Sequence, residues 1–280
     1  MTSDARVADV VTELEAAGVS CLVMGGHAVR FYGLARSTLD VDLNVAPGPW
    51  EDLPKLLAQT KLFESQALVE GPTWRPDAFR RFRLGTLPDG RDEWLEFWRE
   101  NHLLAPHDEL RARAERGLYG GRMISFVGLE DLIRAKETER DADWQDIAVL
   151  EQFLDARWLA QARSHRASAA DALRCLRSQA GFLGYLDAGY LTREHAAEAL
   201  RCTSNPVTQS FLIPFAPDAP VAACLAPVEP LVLQRLRATA PAEPLHLALA
   251  EVVRRRYIAF RKELDRRDKD AIVRGRLGAR

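Results

Sequence analysis

Apolar side chains recur at Val7, Val10, Val11 and Leu14, the i, i+3, i+4, i+7 spacing of one helix face. Gly18 stands where a C′ glycine would end that helix. The apolar run Val19 to Met24 predicts a buried strand, broken by Gly25-Gly26. A short helix is expected from His27 to Tyr32, ending at Gly33. Asp40-Val-Asp-Leu-Asn-Val45 alternates polar and apolar as a half-buried strand does, and Pro47-Gly-Pro49 closes it. Trp50 to Gln59 reads as a helix with Trp50, Leu53, Leu56 and Leu57 on one face. Arg80 to Leu84 and Trp94 to Trp98 alternate around the Asp89-Gly90 turn, which predicts a hairpin. A strand over Met123 to Val127 precedes a helix over Gly128 to Glu139 and another from Asp141 to Trp158.

Strands therefore mix with helices up to about residue 127, and helices alone follow. The expected architecture is an α+β (or α/β) domain over 1–127 and an all-helical C-terminal domain over 128–280. Six prolines between Asn205 and Pro230 predict a loop within the second domain.

Composition narrows the function classes. The 280 residues are 47% hydrophobic, enough to fill a core. Thirty-eight basic residues against 40 acidic argue against a wholly basic nucleic-acid coat. Cys21, Cys175, Cys202 and Cys224 are too scattered for a zinc ribbon or a disulfide scaffold, so reduced thiols are expected. No apolar stretch suits a membrane span and the first residues do not resemble a signal peptide, so a cytoplasmic location with no membrane partner is expected. Charge is unevenly spread: Val252–Arg280 carries eleven Lys/Arg and four Asp/Glu, a net of +7 against −9 for the rest. Glu263/Arg267 and Asp265/Lys269 would pair at i, i+4 on a helix. The surplus of Arg254-Arg255-Arg256, Arg274, Arg276 and Arg280 suggests a polyanion partner.

The densest chemistry lies in Val23-Met-Gly25-Gly26 followed, thirteen residues later, by Asp40-Val-Asp42-Leu43. A strand ending in two glycines lets backbone approach a ligand, and the N–H groups of the following helix favour a phosphate. Asp40 and Asp42, at i and i+2 on a strand, share one face about 7 Å apart at Cα. Such a pair suits Mg²⁺ with phosphate oxygens completing its shell. Glu96, mid-strand between apolar residues, is the candidate third carboxylate of a two-metal site, on the same face as Trp94 and Trp98. The plainer alternatives are a solvated strand face for Asp40 and Asp42, and a water-facing edge charge for Glu96.

The run Gly25-Gly-His-Ala-Val-Arg-Phe-Tyr-Gly-Leu-Ala-Arg-Ser-Thr-Leu-Asp-Val-Asp-Leu43 resembles the nucleotidyltransferase pattern of the polymerase-β superfamily. It is most similar to the AbiEii-like nucleotidyltransferase toxins, which share a G-G-x-A-x(n)-R-x-T-x-D-[IV]-D signature. Leu129-Glu-Asp-Leu-Ile-Arg-Ala-Lys136 and Arg140-Asp-Ala-Asp-Trp-Gln-Asp146 are similar to a second motif of that group. The resemblance spans roughly residues 5–155. It implies a nucleotidyltransferase domain with a small mixed sheet and two Mg²⁺ ions held by Asp40, Asp42 and Glu96. It also implies an NTP donor such as ATP, bound through Gly25, Gly26, Arg36, Thr38, Lys136 and Asp146. An RNA or tRNA acceptor and a cognate antitoxin come with it. This chain departs from the pattern in having Gly26 where many members have Ser, Glu96 where the third acid is usually Asp, and Asp141-Ala-Asp143 in place of a basic-acidic pair.

The residues leave plainer readings open as well. Thr38 could merely cap a turn, Arg36 could be a surface ion-pair partner, and Lys136 could be solvated. At the level of function, an acidic cleft would suit a cationic antibiotic as acceptor, such as an aminoglycoside or a lincosamide. A catalytically silent nucleotide-binding interaction protein is the third reading, motivated by Gly26 and Glu96.

Overall fold

A computed structural model describes residues 3–48, 50–64, 67–73, 75–87, 89–165, 176–189 and 245–273. The proline-rich 205–230 segment, Cys175, Cys202 and Cys224, and Arg274, Arg276 and Arg280 lie outside the described residues.

Helix α1 (Asp4–Ala16) begins where the Ser3 side chain accepts the Arg6 N–H, and Val7, Val10, Val11 and Leu14 are wholly buried on one face. Gly18 takes φ 83° just beyond its end, the left-handed position a glycine favours. Strand β1 (Cys21–Val23) is followed at once by α2 (Gly25–Phe31), so the glycine pair forms the first turn of the helix. The sequence pattern alone predicts a start at His27, two residues later than the helix begins. Strand β2 is Val41–Val45, with Asp40 immediately before it. Helix α3 is confined to Leu53–Ala58: Pro54 fits the first turn, while Trp50 stays buried in the turn ahead of it.

Strands β3 (Phe79–Thr86) and β4 (Asp92–Trp98) form the expected hairpin, longer than the alternation alone indicates. Helix α4 (His107–Ala112) and strand β5 (Glu115–Tyr119) have no counterpart in the sequence reading; β6 (Arg122–Phe126) does. Then come α5 (Leu129–Ala135), α6 (Asp141–His165), α7 (Gln179–Asp187) and α8 (Leu245–Val273). Every described element after β6 is helical.

The six strands form one mixed sheet in the order β3-β4-β2-β1-β6-β5. The β1–β2, β3–β4 and β5–β6 pairs are antiparallel, while β1–β6 and β2–β4 are parallel. The β2–β4 register sets Val41 beside Leu95 and Leu43 beside Phe97, all four wholly buried. The same register sets Asp42 beside Glu96, and the alternation of strands sends these two to the other face.

Contacts divide the chain into one unit of 1–146 with 265–280 and a second of 147–264. The sequence pattern alone puts a boundary at 127/128. Helix α5 belongs with the sheet because the strand leading to it is stitched there: the Val127 N–H donates to Val23 O (3.0 Å) and the Tyr32 hydroxyl to Val127 O (2.7 Å). In the second unit, Asp155 caps the start of α7 by accepting from the Ser178 hydroxyl and the backbone N–H groups of Arg177 and Ser178. Arg254 there binds Glu151 at 2.5 Å, which removes it from the surplus of tail charges counted in the sequence. Among the described residues no helix is long and apolar enough to cross a membrane.

Candidate active site

Asp42 projects from β2 directly alongside Glu96 of β4, so each carboxyl group lies in the other's field. Two carboxylates can be that close only if they share a proton or a cation. Burial, then the charges of Asp42 and Asp40, push the Glu96 carboxyl up to about 8; Arg81, at 3.8 Å, opposes them. Burial raises Asp42 too, against the positive field of Lys136 and Arg140. Asp40 is raised by burial and by Asp42. Arg81 is itself fixed by stacking on Trp94, 3.9 Å from the ring centroid. The three carboxyl groups thus lie in surroundings that disfavour three negative charges at once.

The glycine pair serves this cluster by close approach. Gly25 has φ 61°, and a Cβ there would overlap the Asp42 carboxylate. A Cβ on Gly26 would come within 2.7 Å of Thr38. The first turn of α2 therefore seats directly on Asp42 on one side and on Thr38 on the other. The Thr38 hydroxyl donates to the Asp40 carbonyl at 3.4 Å, helping to shape the loop that leads into β2.

Opposite the carboxylates is a cationic group built on the α5–α6 connection. Lys136 is only 4% exposed, so it is not the solvated side chain that its position on a polar helix permits. Its ammonium binds Asp143 (2.9 Å) and Asp146 (2.8 Å), and Asp146 also pairs with Arg36. Asp143 is completely buried and also takes bonds from Thr138 (2.6 Å) and Arg140 (2.7 Å). Burial pulls Lys136 below its ordinary value. Burial alone would raise Asp143, but Lys136, Thr138 and Arg140 together hold it below the usual carboxylate range.

These groups surround one cavity of about 350 Å³. Gly25, Gly26, Arg36, Thr38, Asp40, Asp42, Glu96 and Lys136, eight of the nine residues singled out from the sequence, line it. Asp146 does not, but it holds two that do. Among the described residues no three His, Cys, Asp or Glu side chains are grouped closely enough to hold a metal ion by themselves, so the acidic trio borders a common space and a cation there would need further oxygen ligands. Sequence reasoning missed His102, Asp265 and Lys269, which also line the cavity. Asp265 and Lys269 were visible only as an i, i+4 pair, and they do pair, at 2.7 Å. Nothing in the sequence joins either to His102.

No family model matches this chain, and no curated protein matches it. Among solved structures it is similar to an antigenic nucleotidyltransferase-like protein from Paracoccidioides brasiliensis, at 17% identity and a TM-score of 0.39, covering 70% of this chain and 91% of that one. It is also similar to a tRNA-processing enzyme in an apo form, at 12% identity and a TM-score of 0.26, covering 90% and 88%.

Proposed function

We propose that the protein is a metal-dependent nucleotidyltransferase that moves a nucleoside monophosphate from an NTP to an acceptor hydroxyl. The observation that carries this reading is the cavity that joins Asp40, Asp42 and Glu96 to the cationic group of Lys136, Arg36 and Arg140. An all-oxygen donor set whose neighbouring carboxyl groups raise one another's affinity for a proton suits a hard divalent cation, which would supply the positive charge instead. Asp40, Asp42 and Glu96 would hold the Mg²⁺ ions, with the triphosphate supplying further oxygens. When bound, Mg²⁺ supplies Lewis-acid polarisation of the phosphate and acidification of the acceptor hydroxyl.

The chain's own groups do the positioning. Lys136 has three N–H donors, and Asp143 and Asp146 take two of them. The third, with Arg36, is available to phosphate oxygens. The N–H groups of the first turn of α2 favour the same anion. In the transfer, the acceptor oxygen bonds to the α-phosphorus in line with the leaving pyrophosphate, whose bond to that phosphorus breaks.

RNA is the acceptor class we favour, because the 252–280 segment carries a net +7. A toxin-like role and an antitoxin partner belong to the same proposal and rest on the sequence signature. Incubation with Mg²⁺, each labelled NTP in turn and total bacterial RNA should place label on RNA. Asp40→Asn combined with Asp42→Asn should abolish it. No label with any NTP, or label undiminished in the double variant, contradicts the reading.

A further inference from the structure

We propose that His102 is the general base that takes the proton of the acceptor hydroxyl, with Asp265 as its positioning residue. This rests on the nucleotidyltransferase reading and deepens it. The sequence signature names no histidine for this role; the geometry does.

His102 follows β4 and lines the same cavity as Asp40, Asp42 and Glu96. Its Nε2 lies 2.7 Å from Asp265 Oδ1, on the last part of α8, 163 residues away. Asp265 is completely buried, and its other oxygen accepts the Glu139 backbone N–H (2.9 Å) and pairs with Lys269 (2.7 Å). Burial alone would raise this carboxyl, but the bonds from His102, Lys269 and Glu139 hold it down to about 2. It is therefore a carboxylate that can only accept. The neutral imidazole must donate through Nε2–H, which leaves Nδ1 with its lone pair. Among the described residues Nδ1 has no protein partner, and the side chain keeps 15% of its surface open. A base held by a buried carboxylate in a reactive cavity is the arrangement that general-base catalysis requires.

Glu96 is the other candidate base, but it stands beside Asp42 in the carboxylate set assigned to the metal. Lys269 of α8 bonds both Asp265 and Glu139 beside the dyad, and Arg140, Lys136, Asp40 and Glu96 line the same cavity. In the step, the acceptor O–H bond breaks and its proton goes to His102 Nδ1. The oxygen's electron pair forms the bond to the α-phosphorus, pyrophosphate departs, and the imidazolium returns its proton to water.

The merely structural alternative is a clasp that docks the end of α8. The two accounts separate in a steady-state transfer assay with Mg²⁺, the labelled NTP that the wild type uses and total bacterial RNA. His102→Ala should lower kcat about 100-fold, leave the KM for NTP unchanged and regain activity when imidazole is added. His102→Gln, which keeps a donor toward Asp265, should lose kcat as fully while unfolding in urea as the wild type does. Asp265→Asn should lower kcat while leaving the KM for NTP unchanged. Wild-type kcat in His102→Gln, or loss in His102→Ala without imidazole rescue, overturns the proposal while the function reading stands. A wild type that transfers nothing, like the Asp40→Asn/Asp42→Asn control, overturns both.

Discussion

Lys136 is a charge that water hardly reaches, and the cavity's cationic side depends on it. Its ammonium balances Asp143, which is completely buried, and Asp146, 8% exposed. Removing one partner of such a group strands the others, which costs more than the pair itself contributes. Lys136→Met should therefore destabilise the protein by about 3 kcal/mol in urea unfolding, the low end for a broken buried pair because Arg140, Thr138 and Arg36 remain on the two carboxylates. A change below 0.5 kcal/mol, the range of ordinary surface substitutions, would show that the lysine is in effect solvated. Asp143 illustrates how a residue can depart from a motif and keep a role. In sequence it replaces an expected basic-acidic pair; in the fold it is the deepest carboxylate under Lys136. Cys21 is the one described thiol, buried, with burial pushing it up to about 12, as an inert core cysteine would be.

Helix α2 must hold Gly25 against Asp42, and its other flank is pinned by His27. That ring is wholly buried, with Nδ1 2.9 Å from the Tyr119 hydroxyl of β5 and 4.0 Å from Asp4 of α1, which itself binds Arg30 at 2.9 Å. Burial, and then Arg30, lower His27 to about 4 against Asp4. Between pH 6.5 and 4 the unfolded chain binds a proton there and the folded one does not, so this contribution is complete above 6.5 and is lost as pH falls through the window. Relative to His27→Gln, the wild type should lose about 3 kcal/mol of stability between pH 7 and pH 4, measured by urea unfolding. Equal pH dependence in the two proteins would contradict it. What the sequence disclosed at this scale follows periodicity. The α1 stripe, the Asp40–Val45 alternation and the β3–β4 hairpin were legible because each repeats its pattern over several residues. Helix α4 is a single six-residue piece, too short to show a period. Strand β5 is an edge strand with only Tyr119 buried, and its Gly117 serves to let Phe31 approach. The start of α2 was misplaced because a glycine pair reads as a breaker, whereas here the positive φ of Gly25 opens the helix.

Two units make up the chain, and the first takes the end of α8 as well as the sheet. The acidic cluster could be read from sequence because it sits within 57 residues and mostly on strands whose side chains alternate. The His102–Asp265 contact could not, since only the folded chain brings residues 163 apart in sequence together. The tail's charge is also a property of the whole molecule: Arg254 and Lys269 are engaged by Glu151 and by Asp265 and Glu139, so the formal surplus overstates what an acceptor would meet. The cavity in the first unit, by contrast, can be tested with no knowledge of the acceptor. Isothermal titration of each of the four NTPs into the protein, with and without Mg²⁺, tests it most directly. At least one NTP should bind ten-fold or more tightly with the metal, and Asp40→Asn with Asp42→Asn should erase that difference. Binding of every NTP that is indifferent to Mg²⁺, or a metal dependence that survives the double substitution, would contradict the account.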